Sequence, residues 1–478
     1  MQTGHSQPVA VAARLSAMMF LQFFIWGAWY VTAPIYLVTI GFGAADIGWT
    51  YSVGPIAGML SPLFVGMIAD RFFSTERVLG VLHLAAGGLM FLAISFMQPS
   101  GTSPATVNLV FFLYMLCYFP TLALTNSLAL HNITDSEKQF PLIRVFGTIG
   151  WIVAGIFLST QGWDTKELGR NMFYVAAISN LVMGVYCFTL PHTPPPLAGK
   201  KATVGEVLGL DALVLLKKPS FAVFMASSLL ICIPLAFYYQ IASRYVEASG
   251  MANPAFKMTF GQMSEIFFML VMPLFFARLG VKWMLCVGML AWVVRYGLFA
   301  AAAGPDGGVA WMILTGVILH GICYDFFFVT GQIYTDKAAP KGIRSQAQGM
   351  LVLFTLGLGM LIGAQVAGKI EGQYTAANAD KAAKEAESLG AQIQELQDQQ
   401  ANAGDSEAVN QQIAELKAEQ TKLLWGTKDW KMIWGIPAVG AAIILVLFAL
   451  LFRDDTRRNG GDVTAGEVAS AASTEEMM

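Results

Sequence analysis

Apolar stretches separated by short polar turns recur along almost the whole chain, and their lengths match the ~20 helical residues that cross the hydrocarbon core of a bilayer. In order, they predict spans near 15–40, 45–68, 78–97, 105–130, 141–161, 171–190, 220–246, 258–277, 281–303, 309–335, 344–370 and 430–452. A backbone in lipid must satisfy its own hydrogen bonds, so all twelve are read as helices. The polar lead before residue 15 runs into an apolar segment too long for a signal peptide, so no cleavable signal is expected. Between the last two spans the pattern changes. There Leu389, Ile393 and Leu396 recur at spacings of four and three, and Val409, Ile413, Leu416 and Leu423 at four, three and seven. With a break at 402–406, residues 376–427 predict an antiparallel helical hairpin outside the membrane. It is either an inert or stabilising insertion or a gating or partner-binding element. The small, acidic tail 459–478 reads as disordered.

Composition agrees with a polytopic membrane protein. Hydrophobic residues make up 56% of the 478 and charged residues 13%, against roughly 25% charged in soluble domains. The lipid bilayer is therefore a partner and nucleic acid is not; the net charge of -2 is uninformative because charges here are partitioned by side of the membrane. That partition is visible. Arg14, Arg71, Arg77, Lys138, Lys200, Lys201, Lys337 and Arg453 fall on one side, whereas loops 41–46, 98–105 and 303–308 carry no Lys or Arg. Both termini are thus expected in the cytoplasm. The Pro-rich, then basic, segment 192–219 reads as a cytoplasmic linker between a six-helix bundle at 1–191 and a second at 220–478. Short internal matches, PLF at 62–64 and 273–275 and Ile-Arg at 143–144 and 343–344, fit two parallel repeats around a mid-membrane site. The five cysteines sit in apolar runs without CxxC spacing, so neither a disulfide framework nor a metal or other cofactor is expected.

Polar groups inside the spans carry the candidate chemistry. Asp325 lies a little past the middle of 309–335, where an aspartate costs on the order of 3 kcal/mol, so it marks either a functional carboxylate or an interhelical ion pair. His320 and Tyr324, four apart, share a face beside it; the histidine is either a proton relay or a packed, hydrogen-bonded ring. Gln262 and Glu265 share a helix face at spacing three, and Arg144 and Thr148 at spacing four. Glu265 is either a ligand or a structural partner of a base, and Arg144 either faces the cavity or anchors its span by snorkelling. Arg295 reads as a structural ion pair. Trp26, Trp29 and the aromatic residues at 324–328 could stack on a ring or merely pack. No HExxH or GxSxG occurs, which disfavours an intramembrane enzyme, and no signalling domain is attached to support a receptor.

The turn GMIADRFFSTER, 66–77, places Gly66 ahead of the pair Asp70-Arg71 and resembles the conformational signature of the major facilitator superfamily. More specific phrases cover nearly the whole chain, among them FLQFFIWGAWY (20–30), FPLIRVFGTIGW (140–151), QMSE (262–265), YDFF (324–327) and IRSQAQGM (343–350). Together they resemble the nucleoside:proton symporter family. The resemblance implies an all-α membrane protein of two six-helix bundles that imports nucleosides with protons across a bacterial inner membrane, with the proton as coupling ion and a monomer as the working unit. It implies proton coupling by Asp325, with Glu265 and Arg144, and substrate binding by Gln262, Glu265, Thr148 and Arg144. Tyr324, His320, Tyr239 and Trp26 are the further candidate binding residues. In 232–245 Ala236 and Tyr239 stand where the family carries amides, so another polar cargo such as a sugar, or export, stays open as an alternative.

Overall fold

In the computed structural model, residues 9–61, 73–98, 101–134, 136–195, 210–305, 307–340, 343–403 and 406–454 are described. Among them the chain is helical, with no strand beyond the isolated bridge pairs Ala303 with Gly308 and Thr375 with Lys428. The N-terminal helices are α1 Val9–Gly27, α2 Ala33–Leu37, α3 Ala44–Ser61, α4 Thr75–Phe96, α5 Pro104–His131, α6 Ser136–Thr160 and α7 Arg170–Cys187. Next come α8 Pro219–Ala248, α9 Pro254–Ala302, α10 Ala310–Ile318, α11 His320–Tyr324 and α12 Thr330–Ala338. The last are α13 Arg344–Val352, α14 Met360–Gln373, α15 Ala379–Ala403, α16 Glu407–Trp425 and α17 Trp430–Leu451. Proline opens α5, α8 and α9, where its missing N–H costs no helical hydrogen bond.

Among the described residues, nine helical stretches are long and apolar enough to cross a membrane. One of them, α9 with 49 residues, contains two predicted spans: Gly280 has φ 67°, a left-handed conformation that glycine adopts without a Cβ penalty, and it breaks the helix between 258–277 and 281–303. The predicted spans 45–68 and 171–190 correspond to α3, described as far as Ser61, and to α7. Three spans read as continuous are interrupted, the eleventh by a π-helical turn over Leu353–Gly359 between α13 and α14. The first stops at Gly27 and resumes at Ala33. The tenth breaks at Leu319 and widens into a π-helical turn over Asp325–Val329. Ser264 of α9 spans that first break, its Oγ donating to the Ile318 carbonyl and accepting from the Gly321 N–H at 3.0 Å, so backbone groups freed by the break stay satisfied in the membrane. Gly66, Asp70 and Arg71 and the tail 459–478 lie outside the described residues, as does half of the linker, 196–209; its end, Leu210–Lys217, forms a 3₁₀ segment.

Helices α15 and α16 form the antiparallel hairpin, tied by Gln420 Nε2 donating to the Ala386 carbonyl at 2.7 Å and Gln400 Nε2 to Asn410 Oδ1 at 2.9 Å. Its root is clamped. The Ala376 N–H donates to the Thr427 carbonyl (2.8 Å), the Asp429 N–H to the Tyr374 carbonyl (2.9 Å), and Trp425 Nε1 to the Gly304 carbonyl (2.9 Å). Beneath it lies a charge cluster that sequence reading missed: Arg244 of α8 grips Glu371 of α14 with both terminal nitrogens, at 2.5 and 2.7 Å, and Lys428 contacts the same carboxylate. Burial pulls the Lys428 ammonium down to about 8 against the opposing attraction of Glu371.

Helices α1–α7 and α8–α17 meet near this hairpin end. Ser243 Oγ donates to the Val31 carbonyl (2.6 Å), Gln365 Nε2 to Ser52 Oγ (2.8 Å), and Lys166 faces Glu247 at 3.5 Å. Glycines allow the close approach, since a Cβ at Gly368 would meet the Ala44 carbonyl oxygen at 2.8 Å. The N-terminus of α9 is capped from across the contact: the Ala255 N–H donates to Asp164 Oδ2 (3.0 Å) and the Phe256 N–H to Ser159 Oγ (2.9 Å), while the α9 N-cap residue, Asn253, makes no side-chain cap. Asp164→Ala should remove about 1 kcal/mol of capping, lowering the population that keeps this contact relative to the one that loses it roughly fivefold. Electron–electron distances between spin labels at 167 and 252 should lengthen accordingly.

Candidate binding cavity

A cavity of about 870 Å³, counting solvent at its mouth, lies between the two groups of helices. From the N-terminal helices it takes Phe23 and Trp26 of α1, Tyr30 in the break after α1, Pro55 of α3, Phe119 of α5, and Arg144, Thr148 and Trp151 of α6. Three aromatic rings of the first span, Phe23, Trp26 and Tyr30, line it. Trp26 makes edge contacts with Tyr30 (5.4 Å between centroids) and Trp151 (5.5 Å), and its indole N–H has no hydrogen-bond partner among the described residues. Tyr30 in turn meets Tyr239 of α8 edge-on at 5.7 Å, joining the two sides.

The C-terminal helices contribute most of the remaining polar groups: Tyr239, Gln262, Glu265, His320 and Tyr324, with Leu356 and Met360. On α9 the division of faces is clear. Met263, Phe267, Leu270 and Leu274, at spacings of four, three and four, are exposed as a lipid-facing stripe, whereas Gln262 and Glu265 are buried toward the cavity. Gly321 lets α11 approach α9, since a Cβ there would meet the Glu265 backbone nitrogen at 2.6 Å.

All eight residues expected at a binding site, Trp26, Arg144, Thr148, Tyr239, Gln262, Glu265, His320 and Tyr324, line this one cavity. Arg144 thus sits on the cavity rather than at a membrane edge, with its guanidinium carbon 3.8 Å from the Phe23 ring centroid. Asp325 is not among the lining residues; it is fully buried and follows Tyr324 directly in the chain, at the start of the π-helical turn. Arg295, read as an ion pair, stands instead over the Tyr238 ring and against His320. Sequence reading missed the walls supplied by Phe23, Tyr30, Pro55, Phe119, Trp151, Leu356 and Met360, whose residue types are ordinary in membrane helices. It also missed a buried network in which His83 faces the Gln22 and Asn180 side-chain oxygens, each at 2.9 Å. Among the described residues no cluster of His, Cys, Asp and Glu could hold a metal.

Gly147 carries a consequence for Arg144. A Cβ at 147 would collide with Arg144 Nη1 and come within 2.9 Å of the Phe23 ring, so the guanidinium keeps its place only over a glycine. Gly147→Ala should leave the fold intact and weaken substrate affinity about tenfold, the order expected when a charge-assisted contact is misplaced. A binding titration alongside a melting curve checks both halves of that expectation.

Compared with known proteins, residues 9–384 match the family described as Nucleoside H+ symporter. The chain belongs to the nucleoside H+ symporter family. It is 38% identical over 446 residues to the putative nucleoside transporter YegT of Escherichia coli (strain K12), covering 92% of this chain and 94% of that one. It is 33% identical over 377 residues to the xanthosine permease of the same organism, covering 75% of this chain and 88% of that one. The crystal structure of the nucleoside transporter NupG superposes with a TM-score of 0.74 at 26% identity, covering 93% of this chain and 99% of that one. The protein is accordingly a multi-pass membrane transporter of the major-facilitator type, not an enzyme.

Proposed function

We propose that the protein imports nucleosides with protons across the bacterial inner membrane, by alternately exposing the cavity between two bundles, 1–191 and 220–478. The observation that carries this reading is the single cavity in which Arg144 and Thr148 from one side meet Gln262, Glu265 and His320 from the other, between aromatic walls. Aromatic faces suit a nucleobase, and the carboxylate and amide suit ribose hydroxyls. Basic loops put the termini in the cytoplasm, so the hairpin end is external. The contacts there then make this a conformation closed to the outside.

Tyr239 lines the cavity and Ala236, fully buried, does not, so base-reading amides have no equivalent at these two places. Recognition then rests on the ribose more than on the base. Purine and pyrimidine nucleosides should compete alike for uptake of a labelled nucleoside. Free bases should compete at least about tenfold more weakly, since a hydrogen bond to a charged group is worth roughly 1.5–3 kcal/mol. Strong competition by free bases, or by sugars lacking a base, would reject this assignment and favour another cargo.

A further inference from the structure

Arg295 is fully buried in the second half of α9, and its guanidinium carbon lies 3.4 Å from the Tyr238 ring centroid. Its Nη1 is 3.1 Å from His320 Nδ1. A guanidinium offers only donors and keeps its proton at any attainable pH, so this contact is a hydrogen bond only if Nδ1 presents its lone pair. With Nδ1 accepting, the neutral imidazole carries its proton on Nε2. Protonating Nδ1 would destroy the bond and set two cations side by side away from water. The 3.9 Å between His320 Nε2 and Glu265 Oε2 is therefore not the separation of an ion pair.

The ring has little freedom to escape this arrangement. Tyr238 stacks on it at 5.1 Å with 19° between planes, and a Cβ at Gly261 would come within 3.1 Å of the His320 Cβ. Besides Arg295, the ionisable groups around the pair are Glu265, Tyr238, Tyr239, Tyr296, Cys323, Tyr324 and Asp325.

We propose that Arg295 is a positioning residue that fixes His320 as a neutral imidazole with its Nε2–H at the cavity, so that His320 determines specificity as a hydrogen-bond donor and does not relay protons. The Nε2–H and the Glu265 carboxylate, 3.9 Å apart on the cavity wall, then form a donor beside an acceptor. A hydroxyl is both, and one ligand hydroxyl spans the pair where a hydrogen atom in its place does not. This second step rests on the nucleoside reading of the cavity; the tautomer does not.

The test uses the full-length protein, labelled with ¹⁵N-histidine and reconstituted in lipid. The chain has five histidines, and the signals lost in His320→Gln identify those of His320. Between about pH 5 and 8 they should show a bare Nδ1 and a protonated Nε2 throughout. Arg295→Met should make them pH-dependent or mixed between tautomers, and Arg295→Lys, which still offers only donors, should restore the Nε2–H form. A wild-type His320 protonated on Nδ1, or titrating across this range, overturns the proposal even if a variant fails to fold. For specificity, adenosine, 2′-deoxyadenosine and 3′-deoxyadenosine are titrated against wild type and His320→Phe. Wild type should bind one deoxy analogue about tenfold more weakly than adenosine, and the variant should lose that difference. Equal binding of all three to wild type overturns the donor role. Absence of binding by any nucleoside overturns the transport reading instead and leaves the tautomer result standing.

Discussion

Glu371→Gln should destabilise the protein by about 3–5 kcal/mol, the usual cost of breaking a buried ion pair by removing one partner. The reason is the arithmetic of charge at the hairpin root. Glu371 is fully buried and is the carboxylate shared by Arg244, bonded through both terminal nitrogens, and by Lys428. Glutamine has nearly the same shape but no charge, so two cations would face each other with nothing between them. They join α8, α14 and the strand-like bridge beneath the hairpin, so the damage should concentrate at the hairpin end. A thermal melt in detergent should show the loss, and adding Lys428→Met should recover part of it by removing one of the stranded charges. An unchanged melting temperature in the single variant would mean that the cluster contributes little net stability.

The second large effect is expected at Asp325. It is fully buried, next in the chain to the cavity-lining Tyr324, where a carboxylate is among the costliest groups to keep charged in a membrane. A proton reaching it from outside would neutralise it and lower the barrier to rocking the loaded bundles; release inside would reset the cycle. Asp325→Asn keeps size and hydrogen bonding but holds the side chain neutral. Accumulation driven by a pH gradient should fall to the level reached without one, while nucleoside binding and gradient-independent exchange are at least partly retained. Wild-type accumulation by this variant would move the coupling role to Glu265.

Local periodicity made much of this legible. Gln262 and Glu265 share a face because three residues are nearly one helical turn, and the lipid stripe Met263, Phe267, Leu270 and Leu274 confirms which face is inward. His320 and Tyr324 keep their common face because the break in the tenth span falls just before them, at Leu319. What stayed hidden depends on approach in space. Arg244, Glu371 and Lys428 are far apart in sequence, and all three lie at or near the ends of spans, where charges are ordinary. Asp164 reads as a loop residue, and only packing reveals that it caps a helix of the other group. Arg295 invites an ion-pair reading because a lone intramembrane cation suggests an anion; its observed neighbours are an aromatic face and an imidazole nitrogen.

The most direct measurement of the central claim is uptake of labelled uridine by proteoliposomes containing the purified protein, with and without an imposed pH gradient, acidic outside. The account predicts accumulation above equilibrium only with the gradient, abolished by a protonophore and competed by unlabelled nucleosides. Uptake that merely equilibrates whatever the gradient, in vesicles whose protein is folded and binds nucleoside, would contradict proton-coupled import.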